Sequence, residues 1–186
     1  MVDQQKLVKD CLRHHTAAQK QLYDLFAASM LGVCYRYTKS MHDAEEVLQQ
    51  GFIKVFGHLH QYKAEGELGA WIRRIMVNTA INYLRRKPQY QLDLSFEDSH
   101  LHPVTQAEPE WKLGMKDLLA LVRQLPPGYQ AIFNLHAVEG YTHVEIGKIL
   151  GISEGTSRSQ YSRARALLIS WMGKNVVNGK KDKYAR

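Results

Sequence analysis

The sequence predicts an all-α protein built as two small helical domains, and three observations carry that expectation. Apolar residues recur at three- and four-residue steps along successive long segments. No stretch reads convincingly as a β-strand. One acidic, proline-containing break near the middle interrupts the periodicity. With 186 residues and 45% hydrophobic content, the chain can bury two small cores, and its composition is neither disordered nor fibrous.

Taken in order, residues 16–37 carry Ala18, Leu22, Leu25, Phe26, Met30, Val33, Cys34 and Tyr37 at helical spacing, which predicts a long amphipathic helix. A second helix is predicted from about residue 41 through Ala44, Val47, Leu48, Phe52, Val55, Phe56 and Leu59. Asp43, Glu45 and Glu46 complement the positive end of its dipole, and Gly51 falls mid-helix on its apolar side. A third spans residues 68–87 through Leu68, Trp71, Ile72, Ile75, Met76, Ala80, Tyr83 and Leu84. Pro88 ends it, because the residue before a proline avoids the α region. These helices form one bundle, assigned to residues 1–87.

Residues 88–109 read as a flexible linker. Prolines stand at 88, 103 and 109, and every formal charge between Pro88 and Glu110 (Asp93, Glu97, Asp98, Glu108, Glu110) is negative. A second helical domain is expected over residues 110–173, with helices near 110–124, 129–138, 142–150 and 153–172. Leu125-Pro126-Pro127-Gly128 separates the first two. Residues 174–186 form a basic tail, read as a disordered end.

Within the second domain, Thr142-His143-Val144-Glu145 has the pattern of a capping box, in which the threonine and glutamate side chains satisfy backbone donors at a helix start. Ile146, Ile149 and Leu150 give that helix an apolar face, and Gly147 permits a close approach. Gly151-Ile152-Ser153 then makes a short turn ending in an N-cap serine. On the next helix Tyr161, Ala164, Leu168 and Trp171 share one side. Arg158, Ser159, Ser162, Arg163 and Arg165 fall on the other. A basic, hydroxyl-bearing face suits phosphates and guanine edges in a major groove. One such helix alone would pass for a solvated surface, but the order of cap, turn and basic helix is that of a DNA-binding helix-turn-helix.

The third helix of the first domain has a comparable polar strip. Arg74, Asn78, Asn82 and Arg85 lie in one quadrant of its wheel, and Arg73, Arg86 and Lys87 extend the positive charge. Trp71 sits at the edge of the apolar stripe, where an indole either closes the core or stacks on an unpaired base. The formal net charge of +7 favours an anionic partner, nucleic acid or membrane surface. The charged N-terminus lacks the apolar core of a signal peptide, so a soluble cytoplasmic protein is expected. Cys11 and Cys34, both in apolar-periodic segments, read as free buried thiols.

Several signals point elsewhere and carry little weight. Gly151-Ile152-Ser153-Glu154-Gly155 matches the string of a hydrolase nucleophile elbow, but that motif needs a preceding strand and here follows a capped helix. His58 with His60, and His100 with His102, are two residues apart, which on a helix turns them in different directions, so no metal site is expected. No phosphate-binding glycine motif is present, and no catalytic residue, cofactor or small-molecule substrate is expected.

The run Asp43-Ala44-Glu45-Glu46-Val47-Leu48-Gln49-Gln50, with Phe52 and Val55-Phe56, resembles the second conserved region of extracytoplasmic-function sigma factors of the sigma-70 family. So does Ala70-Trp71-Ile72-Arg73-Arg74-Ile75-Met76-Val77-Asn78, continuing into Tyr83-Leu84-Arg85-Arg86. Leu125-Pro126-Pro127-Gly128-Tyr129 through Glu139-Gly140-Tyr141, Leu150 to Thr156 and Arg163-Ala164-Arg165 resembles their fourth region. The resemblance covers residues 15–172, with the linker unmatched.

It implies that Asp43, Glu46, Gln49, Gln50 and Phe52 dock on core RNA polymerase. The loop from Tyr62 to Gly69 and, on the helix after it, Trp71, Arg74, Asn78, Asn82, Arg85 and Arg86 would capture the non-template strand of the promoter minus-ten element and melt the DNA there. Arg158, Ser159, Ser162, Arg163 and Arg165 would read the minus-thirty-five element. An anti-sigma factor, often membrane-bound, is implied as the inhibitory partner. Gln50-Gly51 stands where the family commonly has a glutamate and an aliphatic residue, Ser157 replaces a usual apolar one, and Gln160 and Ser162 differ from frequent basic or aromatic choices. The rival reading is a stand-alone helix-turn-helix regulator whose first domain senses a ligand or dimerises. A purely interacting protein would not need two DNA-facing helices.

Overall fold

A computed structural model describes residues 3–86 and 114–181, which fall into two compact units, the first ending at Arg86. Among the described residues every regular element is helical. The linker at 88–109, and the start proposed for the helix near residue 110, lie outside the described residues.

The first unit begins with a helix that the apolar periodicity did not reveal, α1 (Gln4–Leu12). Asp3 caps it, its carboxylate accepting the N–H groups of Gln5 at 3.0 Å and Lys6 at 3.1 Å. Only Leu7, Val8 and Cys11 face inward, and they pack on α2 (Thr16–Tyr37). Helices α3 (Met41–His58) and α4 (Leu68–Arg85) complete the bundle, with α2, α3 and α4 each packed against the other two. Ser40 caps α3 by accepting from Asp43 N–H at 3.0 Å. Along α2 the expected stripe holds at Ala18, Leu22, Met30, Val33, Cys34 and Tyr37, whereas Leu25 is 47% exposed.

Gly51 sits where α3 meets α4. A Cβ built there would lie 2.2 Å from the Met76 sulfur, so the methionine side chain occupies the space that an aliphatic residue on α3 would fill. The helix-propensity cost of glycine, about 1 kcal/mol, is therefore set against close packing of a fully buried Met76. Tyr83 OH on α4 donates to Asp43 Oδ1 on α3, and Lys54 Nζ on α3 donates to Thr79 Oγ1 on α4 at 3.1 Å. These polar ties fix the register of the two helices whose outer faces carry the expected contacts.

The second unit opens with α5 (Met115–Gln124) and α6 (Pro127–Phe133), where Pro127 takes a first-turn position that needs no amide hydrogen. Helix α6 runs into a π turn (Asn134–Val138), marked by Glu139 N–H bonding to the Asn134 carbonyl at 2.9 Å. Then come α7 (His143–Leu150) and α8 (Glu154–Lys181). Leu121, Val122, Leu125, Tyr129, Ala164 and Leu168 form the core that seats α8 on α5 and α6. The backbone of α8 is helical to Lys181, past the end expected near residue 172, so the tail read as disordered begins as helix.

Candidate nucleic-acid interface

The turn between α7 and α8 is built by the local chemistry the sequence announces. Thr142 Oγ1 accepts from Glu145 N–H at 3.3 Å, and Thr142 N–H donates to Glu145 Oε2 at 2.8 Å. Gly151 adopts φ +73°, the left-handed conformation that stops a helix with least strain, and its N–H and that of Ile152 both donate to the Gly147 carbonyl. Gly147 has a second role. A Cβ there would stand 2.8 Å from the Ile152 carbonyl oxygen, so only glycine lets the turn fold this tightly over α7. Ser153 Oγ then accepts from Thr156 N–H at 2.9 Å and starts α8.

On α8, Arg158, Ser159, Ser162 and Arg165 are exposed, and Arg163 is half-buried at the edge of that face. Ala164 and Leu168 are buried opposite them. Two polar residues of α8 that depart from the family pattern turn inward. Gln160 is 2% exposed and Ser157 0%, so both point into the unit, and Gln160 does not belong with the DNA-facing set. Arg158 Nε donates to Glu154 Oε1 at 2.9 Å across one helical turn. Both side chains are well exposed, so this pair is weak and leaves the guanidinium available to a phosphate or a base edge.

In the first unit, Arg74, Asn78, Asn82, Arg85 and Arg86 are all exposed, as the wheel of α4 requires for a continuous polar strip. Trp71 is half-buried rather than in the core. Its ring meets Tyr62 with centroids 5.7 Å apart, and Tyr62 OH donates to the Gly66 carbonyl at 2.5 Å, which pins the loop before α4. Tyr62, Gly66, Trp71 and Arg74 help line a cleft of about 430 Å³, large enough for a nucleobase. The loop joins this aromatic wall to the basic strip. Tyr62 lies between helices, where periodicity assigns nothing, at the start of the loop that the family resemblance places at the minus-ten strand.

The outer face of α3 carries the set expected at the polymerase. Glu46 and Gln49 are exposed, Asp43 and Gln50 are half-buried, and Gln50 Nε2 donates to Glu46 Oε1 at 2.9 Å. Phe52 departs from that set. It is 3% exposed, its ring 4.6 Å from Tyr23, because it packs inward between α2 and α3 instead of standing free for a partner. It lies on the floor of an apolar groove of about 620 Å³ whose rim includes Tyr23 and Ile53, the latter 66% exposed. Ile53 was legible in principle, as an isoleucine off the inward stripe of α3.

Among the described residues, no group of three or more His, Cys, Asp or Glu side chains is arranged to hold a metal ion. No described helix is long and apolar enough to cross a membrane. Ser153 of the hydrolase-like string is engaged in helix capping and sits in helical surroundings, with no strand before it.

Residues 22–88 match the family model for sigma-70 region 2, and residues 115–168 match that for sigma-70 region 4. The ECF RNA polymerase sigma factor SigE of Mycolicibacterium smegmatis is 33% identical over 148 residues, covering 77% of this chain and 57% of that protein. The ECF RNA polymerase sigma factor SigW of Bacillus subtilis is 26% identical over 174 residues, covering 88% of this chain and 93% of that one. Among solved structures, the sigma factor RpoE in complex with the anti-sigma factor NepR, from Bartonella quintana, shares the fold. Its TM-score is 0.51 at 20% identity, covering 83% of this chain and 96% of that one.

A helical unit matching sigma-70 region 2, followed by a helix-turn-helix unit matching region 4, defines a transcription initiation factor. The chain belongs to the sigma-70 family, as an RNA polymerase sigma factor of the extracytoplasmic-function group.

Proposed function

We propose that this sigma factor divides promoter recognition between its units. The first captures unpaired minus-ten bases on α4 and the loop before it. The second reads the minus-thirty-five duplex with the exposed face of α8. The observation that carries the reading is the adjacency of the Tyr62–Trp71 aromatic cleft to the strip Arg74, Asn78, Asn82, Arg85 and Arg86.

The energetics favour capture of DNA that is already open. Extruding a base from duplex costs a few kcal/mol, and stacking on an aromatic ring returns about 1–3 kcal/mol per base. Stacking alone is at most break-even, so the amide of Asn78 and the guanidinium groups of Arg74, Arg85 and Arg86 supply the remainder through base and phosphate contacts. No bond is made or broken in this scheme, and no catalytic residue is required. On α8, Arg158, Ser159, Ser162 and Arg165 meet base edges and phosphates, with Arg163 flanking them.

Core polymerase engages the outer face of α3 through Glu46, Gln49, Gln50 and the accessible edge of Asp43. Phe52 supports that surface from beneath. The factor acts in the cytoplasm, where an anti-sigma factor, anchored at the membrane or soluble, holds it inactive by covering these faces. Gel filtration of the full chain with sigma-free core polymerase tests the first step. Comigration that is weakened by combined Glu46→Ala and Gln49→Ala substitution is expected. Autonomous, tight, sequence-specific DNA binding with no polymerase association would replace the reading with that of a stand-alone regulator.

A further inference from the structure

Two histidines behind the recognition helix have no part in the scheme above. His136 lies in the π turn and His143 opens α7. Their rings stack with centroids 4.2 Å apart and planes 23° apart, and Tyr161 of α8 meets His136 edge-on at 4.6 Å. Each ring is anchored. His136 Nδ1 is 2.8 Å from the Tyr141 carbonyl, which only accepts, so that nitrogen carries a proton and donates. His143 Nδ1 is 2.9 Å from the hydroxyl of Ser157, a fully buried residue in the first turn of α8 and the immediate neighbour of Arg158.

Two imidazole rings stacked this closely disfavour a positive charge on His143. Burial, His136 and Arg158 hold His143 below the ordinary histidine range, and Glu154 opposes them. Glu145, the other acid of α7, is engaged by Thr142. Glu139 follows the π turn, Lys148 is exposed on α7, and Arg163 and Arg165 lie further along α8. Below the pH at which a free histidine titrates, the unfolded or opened form takes up more protons than the stacked one, so acid favours opening.

We propose that His143 is a positioning residue for minus-thirty-five recognition: stacked on His136, it holds Ser157 and with it the first turn of α8, and protonation of His143 in acid releases that hold. The proposal rests on the reading of α8 as the minus-thirty-five reader.

The test compares open-complex formation by core polymerase carrying the full chain on two promoters, one intact and one with its minus-thirty-five element scrambled, between about pH 5.5 and 8. Effects of pH on polymerase itself cancel in the ratio. The ratio is expected to fall about three- to ten-fold toward acid, the size of one lost hydrogen bond. His143→Asn, which keeps a hydrogen-bonding nitrogen or oxygen for Ser157 but cannot titrate, should preserve neutral discrimination and flatten the profile. His136→Asn should weaken the acid loss. In the free full chain, the amide resonances of Ser157 and Arg158 should titrate together with the His143 imidazole. A wild-type ratio that stays flat, or a His143→Asn profile as steep as wild type, overturns the proposal while leaving the reading of α8 intact. No discrimination at any pH, with those amides still titrating, overturns the reading itself and the proposal with it.

Discussion

Replacing Gly147 by alanine pits helix propensity against the geometry of the helix-turn-helix. In an open helix interior the change should stabilise by about 0.5–1 kcal/mol, because glycine gives up more backbone entropy than alanine. Gly32, mid-helix on α2 with nothing within 4 Å of an added Cβ, is the internal control, and Gly32→Ala should gain that amount. At Gly147 the same methyl would stand 2.8 Å from the Ile152 carbonyl oxygen. The obstacle is backbone, held where Gly151 and Ile152 donate to the Gly147 carbonyl at 2.8 and 3.0 Å, so no side-chain rotation relieves it. The turn must shift by a few tenths of an ångström. Overpacking of this kind costs about 1–3 kcal/mol, which after the propensity gain leaves a net loss of up to about 2.5 kcal/mol, centred near about 1 kcal/mol, in the second unit.

Hydrogen exchange at the Gly151 and Ile152 amides reads that loss directly, as faster exchange. Minus-thirty-five discrimination should fall alongside, because the start of α8 moves with the turn. Protection in Gly147→Ala equal to or above wild type would refute the close-approach argument.

Other expectations follow from the same geometry. Arg158→Ala should cost about 1–3 kcal/mol at the minus-thirty-five element if the guanidinium reads a base, whereas equal loss on unrelated DNA would assign it to phosphate; quantitative binding by the polymerase holoenzyme separates the two. Asn78→Ala should reduce permanganate-detected opening more than closed-complex formation, and equal effects on both would remove it from base capture. Burial pushes the Cys34 thiol up to about 12, so alkylation near neutral pH should leave it unmodified in the native chain and modify it on denaturation, as read by mass spectrometry. With its folded value raised, Cys34 contributes stability below the ordinary thiol value that is lost as pH rises toward 12, so Cys34→Ala should show a smaller fall in stability between neutral and alkaline pH, as read by denaturant unfolding.

What could be read in advance follows how local each signal is. The capping box, the short glycine turn and the N-cap serine are written within a dozen residues, and the structure realises each of them. The polar strip of α4 was equally legible, because four residues on a wheel suffice to define a face. Helix α1 was missed because its apolar set is only Leu7, Val8 and Cys11, too few for periodicity to register. The inward position of Ser157 follows from the family resemblance, which has an apolar residue on that buried side, whereas that of Gln160 does not, because a binary pattern sends polar residues outward. Only the tertiary partner His143 explains the hydroxyl of Ser157. Likewise Phe52 was counted with a docking surface when its ring belongs to the packing against Tyr23, and the π turn that brings His136 over His143 has no spacing signature.

The most direct test of the divided-recognition account is transcription from fragmented genomic DNA by sigma-free core polymerase supplemented with this chain, with transcript starts mapped by sequencing. The account predicts a small set of starts sharing one minus-ten and one minus-thirty-five motif at fixed spacing, lost when Asn78 or Arg158 is replaced by alanine. Starts no different from core polymerase alone, alongside tight DNA binding by the free chain, would contradict it.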